Sequence, residues 1–208
     1  SKGLANMLTN AQASGDAVPA MVVCNVDWDT MEAEGLTEGQ QRLKDAFAAY
    51  GVSDYTVLEK GDVDIAVVGV FGKDALACAP TCELKFEDPI EAFKQTVADI
   101  KANEDVDMIV CVSHSGTWED ESKSEDELLA KGVPDLDLIL SGHTHGGQVW
   151  PAGAVGMVAK NERNYGRKHI ADHCDAIVSG GTGTWGYKFR TQGRTEIVCA
   201  EITTEREN

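Results

Sequence analysis

With 208 residues, 42% of them hydrophobic and 25% charged, the chain has the make-up of a soluble domain large enough to bury a core, and a single domain over 1–208 is the economical organisation. Acidic residues outnumber basic ones by 35 to 18, a formal net charge of -17, and a field of that sign argues against a nucleic-acid polymer as partner. No apolar run reaches the roughly 20 residues that span a bilayer, and Ser1-Lys2-Gly3-Leu4 lacks a secretory apolar stretch, so no membrane segment or targeting signal is expected.

In chain order, helical spacing is predicted over Ser1–Ala13, then a strand-length apolar run at Met21–Val26, then a helix over Glu38–Tyr50 that Gly51 stops. Strands at Tyr55–Leu58 and Ile65–Phe71 flank the turn Lys60-Gly61-Asp62 and read as a hairpin. The clearest helix runs from Asp88 to Asn103, where Ile90, Phe93, Val97 and Ile100 recur at helical spacing behind an Asp88 cap and Pro89.

Met108–Val112 is an uninterrupted apolar run, as in a strand covered on both faces, and it ends at Ser113-His114-Ser115-Gly116. The pattern then repeats: a helix over Ser122–Lys131, a strand over Leu136–Leu140, and the turn Ser141-Gly142-His143-Thr144-His145-Gly146-Gly147. After Gln148 come apolar stretches at Val155–Ala159, Ala176–Ser179 and Ile197–Ile202, which read as a second, largely antiparallel sheet, with Asn161–Asp175 as a surface loop.

The six cysteines mostly lie inside apolar runs, where cysteine behaves as a small buried hydrophobe; this favours a reducing, cytoplasmic compartment. Cys78 and Cys82 are spaced for a disulfide or a metal site, but no second pair matches them, and a packing role is favoured. His169, His173 and Cys174 have a zinc-like spacing with no fourth ligand and no predicted element to fix them, so they are set aside.

In open α/β sheets ligands bind beyond the carboxyl ends of the strands, which is where His114, His143 and His145 fall. A lone strand-end histidine is weak evidence. His143 and His145, separated by one small residue and flanked by glycines, are stronger: two imidazoles can leave one tight turn toward neighbouring metal ions.

The combination of Gly142-His143-Thr144-His145 after an apolar strand with Ser113-His114-Ser115-Gly116 upstream resembles the signature of calcineurin-like metallophosphoesterases. Ser1 to His145 is most similar to the 5'-nucleotidase and 2',3'-cyclic-nucleotide phosphodiesterase branch, through Val22–Asp27, Ile65–Phe71 and Val133–Leu140. Gly146-Gly147-Gln148, Asn164-Tyr165-Gly166-Arg167 and Gly181-Thr182-Gly183-Thr184-Trp185-Gly186 look more like small single-domain phosphoesterases of the same superfamily.

The resemblance implies a two-sheet α/β/β/α sandwich and two divalent metal ions, with His114 and His143 on one and His145 on the other. It implies hydrolysis of a small phosphate mono- or diester, such as a nucleotide, by a metal-activated hydroxide. Imidazole donors suit manganese, iron or zinc, with nickel also compatible.

The family's Asp-x-His, Gly-Asp-x-x-Asp and Gly-Asn-His-Glu/Asp motifs do not occur before His114, so the catalytic histidine and the bridging aspartate are not assigned, and Asp27 and Asp29 are expected to be surface residues rather than substitutes. The expectation is therefore a domain lacking its first strand-helix-strand elements, with an exposed sheet edge that a homo-oligomer or an upstream segment would cover. The second reading is a non-catalytic domain that keeps the fold and acts in binding or assembly.

Overall fold

The computed structural model describes residues 2–116, 118, 120, 122–142, 166–180 and 197–201. The elements are α1 (Lys2–Ala13), α2 (Trp28–Glu34), α3 (Glu38–Tyr50), β1 (Tyr55–Lys60), β2 (Val63–Phe71), α4 (Lys73–Ala77), α5 (Pro89–Asn103), β3 (Met108–His114), α6 (Glu125–Gly132), β4 (Leu138–Ser141), β5 (Gly166–Ala171) and β6 (Cys174–Val178). The expected α/β character is present as one six-stranded sheet of order β1-β2-β3-β4-β6-β5. Strands β2, β3, β4 and β6 run parallel, while β1 and β5 flank them antiparallel.

The local signals act as expected at several places. Asp88 accepts from the N–H groups of Ile90 and Glu91 at 3.0 and 3.2 Å and starts α5 with Pro89 in its first turn. Thr37 and Gln40 close a reciprocal capping box on α3. Lys60 pairs with Val63 across the predicted hairpin turn.

Side chains alternate across a strand, so the register divides the sheet into two faces. On one, Val68, Cys111, Ile139 and Ala176 stand side by side, all 0% exposed, under Phe93, Val97 and Ile100 of α5 and Leu129 and Ala130 of α6. On the other, Gly69, Val112, Leu140 and Ile177 form a row, and Val112 is 43% exposed. A cavity of about 800 Å³ lies over this second face. A separate cluster joins α1 to α3 through Ala5, Leu8, Leu43, Ala46 and Phe47.

Three expectations are corrected. Met21–Val26 is not a strand: it makes only the single bridges Val22 to Ser53 and Val26 to Phe86. It crosses so close to β2 that a Cβ on Gly69 would lie 1.9 Å from the Val22 carbonyl oxygen, and only glycine admits that approach. Part of the predicted Asn161–Asp175 loop is instead β5 and the start of β6, and this hairpin extends the first sheet through the pairing of β6 with β4. Residues 28–34, left without an element in the sequence, form α2, capped by Asp27, which accepts from Thr30 N–H at 2.9 Å.

Val155–Ala159 lies outside the described residues, and Ile197–Glu201 carries no strand. No helix among the described residues is long and apolar enough to cross a membrane.

Candidate functional site at the strand ends

His114 is the last residue of β3, opposite Phe71 at the end of β2. The two rings stack at 5.8 Å with 9° between their planes. Alternation along β3 puts His114 on the same face as Val112, and both line the open cavity together with Phe71, Leu140 and Gly142. Gly142 directly follows β4; a Cβ there would sit 3.4 Å from the His114 Nδ1, so the backbone leaving β4 runs against the imidazole. His114 thus stands at the carboxyl end of a central strand, the position expected of it.

The end of β2 is fixed by a residue the sequence did not point to. Beyond Val68 the β1 partner runs out, and Asn25, 0% exposed, takes over as a surrogate strand. Its Oδ1 accepts from the Phe71 N–H at 3.0 Å and its Nδ2 donates to the Phe71 carbonyl at 2.9 Å. A second amide contact reaches the Glu87 carbonyl at 3.4 Å. The Phe71 ring that stacks on His114 is thus held through its own backbone.

A second missed residue lies across the sheet. Asp126, in the first turn of α6, is 0% exposed. Its Oδ1 accepts from Ser113 Oγ at 2.5 Å; its Oδ2 accepts from Ser141 Oγ at 2.6 Å and from the Gly116 N–H at 3.1 Å. Burial pushes its pKa up to about 6, against the three donors and with a further upward push from Glu125. Its signal is helical periodicity: Asp126 shares a stripe with Leu129, Ala130 and Val133, all buried.

Other candidates resolve into structural roles. Asp29 is exposed, in line with its expected surface position. Cys78 and Cys82 are free thiols. His169 pairs with Asp175 at 3.0 Å, His173 contacts the Ala130 carbonyl at 3.1 Å, and Cys174 is buried; the β5–β6 hairpin that the sequence did not predict sends them to different partners. Trp118 donates its N–H to Ser124 Oγ at 3.1 Å and Asp120 is exposed, as in a loop.

Of the three expected metal ligands, His114 is placed, and His143 and His145 lie outside the described residues. Among the described residues no three His, Cys, Asp or Glu side chains come together in a way that could hold a metal ion. What they contribute is one strand-end imidazole, with the glycine that opens the Gly142-His143-Thr144-His145 run packed against it.

No family model matches the sequence. Over 96 residues the chain is 33% identical to the trifunctional nucleotide phosphoesterase YfkN of Bacillus subtilis, a match covering 46% of this chain and 6% of that protein. It is 31% identical over 99 residues to a 5'-nucleotidase of Vibrio vulnificus, covering 43% of this chain and 18% of that one. An uncharacterized metallophosphoesterase of Campylobacter jejuni is 38% identical over 72 residues, 34% of this chain and 18% of its own length. The matches therefore span at most 18% of these relatives.

Among solved structures, the calcineurin-like phosphoesterase YfkN of Bacillus subtilis superposes with a TM-score of 0.49 at 18% identity, over 78% of this chain and 47% of that one. A 5'-nucleotidase precursor of Thermus thermophilus gives 0.49 at 23% identity, over 86% and 30%. Over part of its length this chain is therefore similar to metallophosphoesterases, a nucleotide phosphoesterase and a 5'-nucleotidase among them.

Proposed function

We propose that residues 1–208 are a metallophosphoesterase domain whose His114, His143 and His145 hold divalent metal ions and whose substrate is a small phosphate ester of the nucleotide class. The observation that carries this reading is the meeting of two strand ends. His114 faces the open side of the sheet, and Gly142, the residue before His143, packs against its Nδ1 side. Neutral imidazoles are donors that suit a single divalent ion of this kind, whereas a dinuclear pair also needs a bridging carboxylate, which is not assigned among residues 1–208.

When bound, such ions supply Lewis-acid polarisation of a phosphate ester and an activated water for attack on phosphorus. The chain's own residues supply position. Phe71 stacks on the His114 ring and restricts its rotation, and Asn25 holds the Phe71 backbone from behind. The names of the relatives, a nucleotide phosphoesterase and 5'-nucleotidases, support nucleotides as the substrate class.

The test is the manganese content of the purified chain together with hydrolysis of bis-p-nitrophenyl phosphate, each repeated for His143→Ala. The proposal expects stoichiometric metal, and turnover that falls by at least about 100-fold in the variant. A chain with neither stoichiometric manganese nor histidine-dependent turnover would overturn the proposal for residues 1–208 taken alone.

A further inference from the structure

His114 sits on the open face of the sheet, yet the ends of β3 and β4 are joined from the opposite face. Ser113 precedes His114 and, by alternation, points to the helix side; its register partner on β4 is Ser141, two residues before His143. Both hydroxyls donate to one carboxylate, Asp126, at 2.5 and 2.6 Å, and the same carboxylate accepts the N–H of Gly116, two residues after His114. The three donors thus come from both sides of His114 and from the residue that leads into Gly142. Ser113, Ser141 and Asp126 are 4%, 4% and 0% exposed, so water does not compete for these bonds.

We propose that Asp126 is the positioning residue of the site: it ties the carboxyl ends of β3 and β4 together from behind, fixing the strand end that carries His114 and the strand end, Ser141-Gly142, that precedes His143 in the sequence. This rests on the proposed metal-binding role of those histidines. Helix α6 carries the carboxylate rigidly, because Leu129 and Ala130 on the same stripe are locked in the core. The tie is additional to ordinary strand pairing, since Ser113 and Ser141 are already register partners through their backbones. Side-chain clamps of this kind behind a ligand govern its orientation, and their loss lowers metal affinity by about 10-fold to 100-fold.

Geometry separates the variants. In Asp126→Asn the amide oxygen can keep the Ser141 and Gly116 donors while the NH₂ faces Ser113, whose hydroxyl turns to accept. In Asp126→Ala all three donors lose their acceptor. The experiment uses the full chain with labelled histidines, the His114 ring resonance being assigned by His114→Gln, alongside manganese titration and circular dichroism.

In Asp126→Ala the His114 resonance is expected to shift or split while the dichroism spectrum stays native, and manganese affinity to fall at least about 10-fold. Asp126→Asn is expected to restore the resonance and to bind manganese within about 3-fold of the unsubstituted chain. Should Asp126→Ala not fold, the Ser113→Ala/Ser141→Ala double variant replaces it, with the same expected resonance change. A His114 resonance unchanged by loss of the clamp in a folded variant overturns the positioning role. An unsubstituted chain that binds no manganese, while its His114 resonance still responds to Asp126, overturns the metal reading and leaves the positioning of His114 standing.

Discussion

The two faces of the sheet share the same strands, yet they are built for different ends. On the helix-covered face the row Val68, Cys111, Ile139 and Ala176 is completely buried, and where the row reaches polar residues at Ser113 and Ser141, the Asp126 carboxylate satisfies them. On the opposite face Val112, Leu140 and Ile177 of the neighbouring row border a cavity, as do Phe71 and His114 further along β2 and β3. One residue's step along a strand separates a closed core from an open site. Stability belongs mainly to the first face, and the proposed chemistry to the second.

The largest effect that tests this division comes from Phe93 on α5. It is 0% exposed and packs in the cluster that covers the sheet. Phe93→Ala removes a buried ring and leaves a cavity, at a cost of about 3 to 5 kcal/mol. Urea unfolding followed by circular dichroism should show that loss; a cost below about 1 kcal/mol would mean that the helix-covered face is not the main source of stability.

The polar end of the same face gives a pH effect. Asp126 has a folded pKa of about 6, raised first by burial, whereas an unfolded aspartate titrates near its ordinary 3.8. A raised carboxyl means that the folded state binds the proton more tightly. Its contribution to stability is therefore fully present below about 3.8 and is lost as pH rises through about 6, a change of about 3 kcal/mol at most.

The groups around Asp126 leave that window clear. The Ser113, Ser141 and Gly116 donors oppose the shift and Glu125 adds to it, while the Cys111 and Cys174 thiols are themselves pushed up by burial and stay neutral. Relative to Asp126→Asn, which cannot ionise, the unsubstituted chain should lose stability between pH 4 and pH 7.5 in denaturant titrations. A constant difference across that range would break the assignment.

Much of this division was legible in the sequence. Alternation and apolar runs located β2, β3, β4 and α5, and the placement of His114 at a strand end followed from where the run Met108–Val112 stops. Asp126 was hidden because Glu125-Asp126-Glu127 reads as an acidic first turn facing solvent, although Asp126 and Glu127 are both buried. Asn25 was hidden inside an apolar run whose true role is to cross Gly69 rather than to pair as a strand. The β5–β6 hairpin escaped because Gly166-Arg167-Lys168-His169 is polar; the pairing of β6 with β4 and the burial of Cys174, Ala176 and Val178 on one side of β6 tie the hairpin to the core. Each miss is a tertiary contact that overrides a local composition signal.

The smallest expected effect sharpens the comparison most directly, because it makes the same chemical change on both faces. Val68 is 0% exposed on the covered face, and Val112 is 43% exposed on the open one. Valine to threonine keeps the shape and exchanges a methyl for a hydroxyl. At position 68 the hydroxyl enters an apolar cluster formed with Phe93 and Cys111, and leaving it without a partner costs about 1 to 3 kcal/mol. At position 112 the hydroxyl meets the cavity, where water satisfies it, and the change should stay within about 0.5 kcal/mol. Measured side by side in the same denaturant titration, the two variants should differ by at least about 1 kcal/mol. Equal costs would mean that the Val112 row is packed as tightly as the row beside it and that the face carrying His114 is a second core rather than an open site.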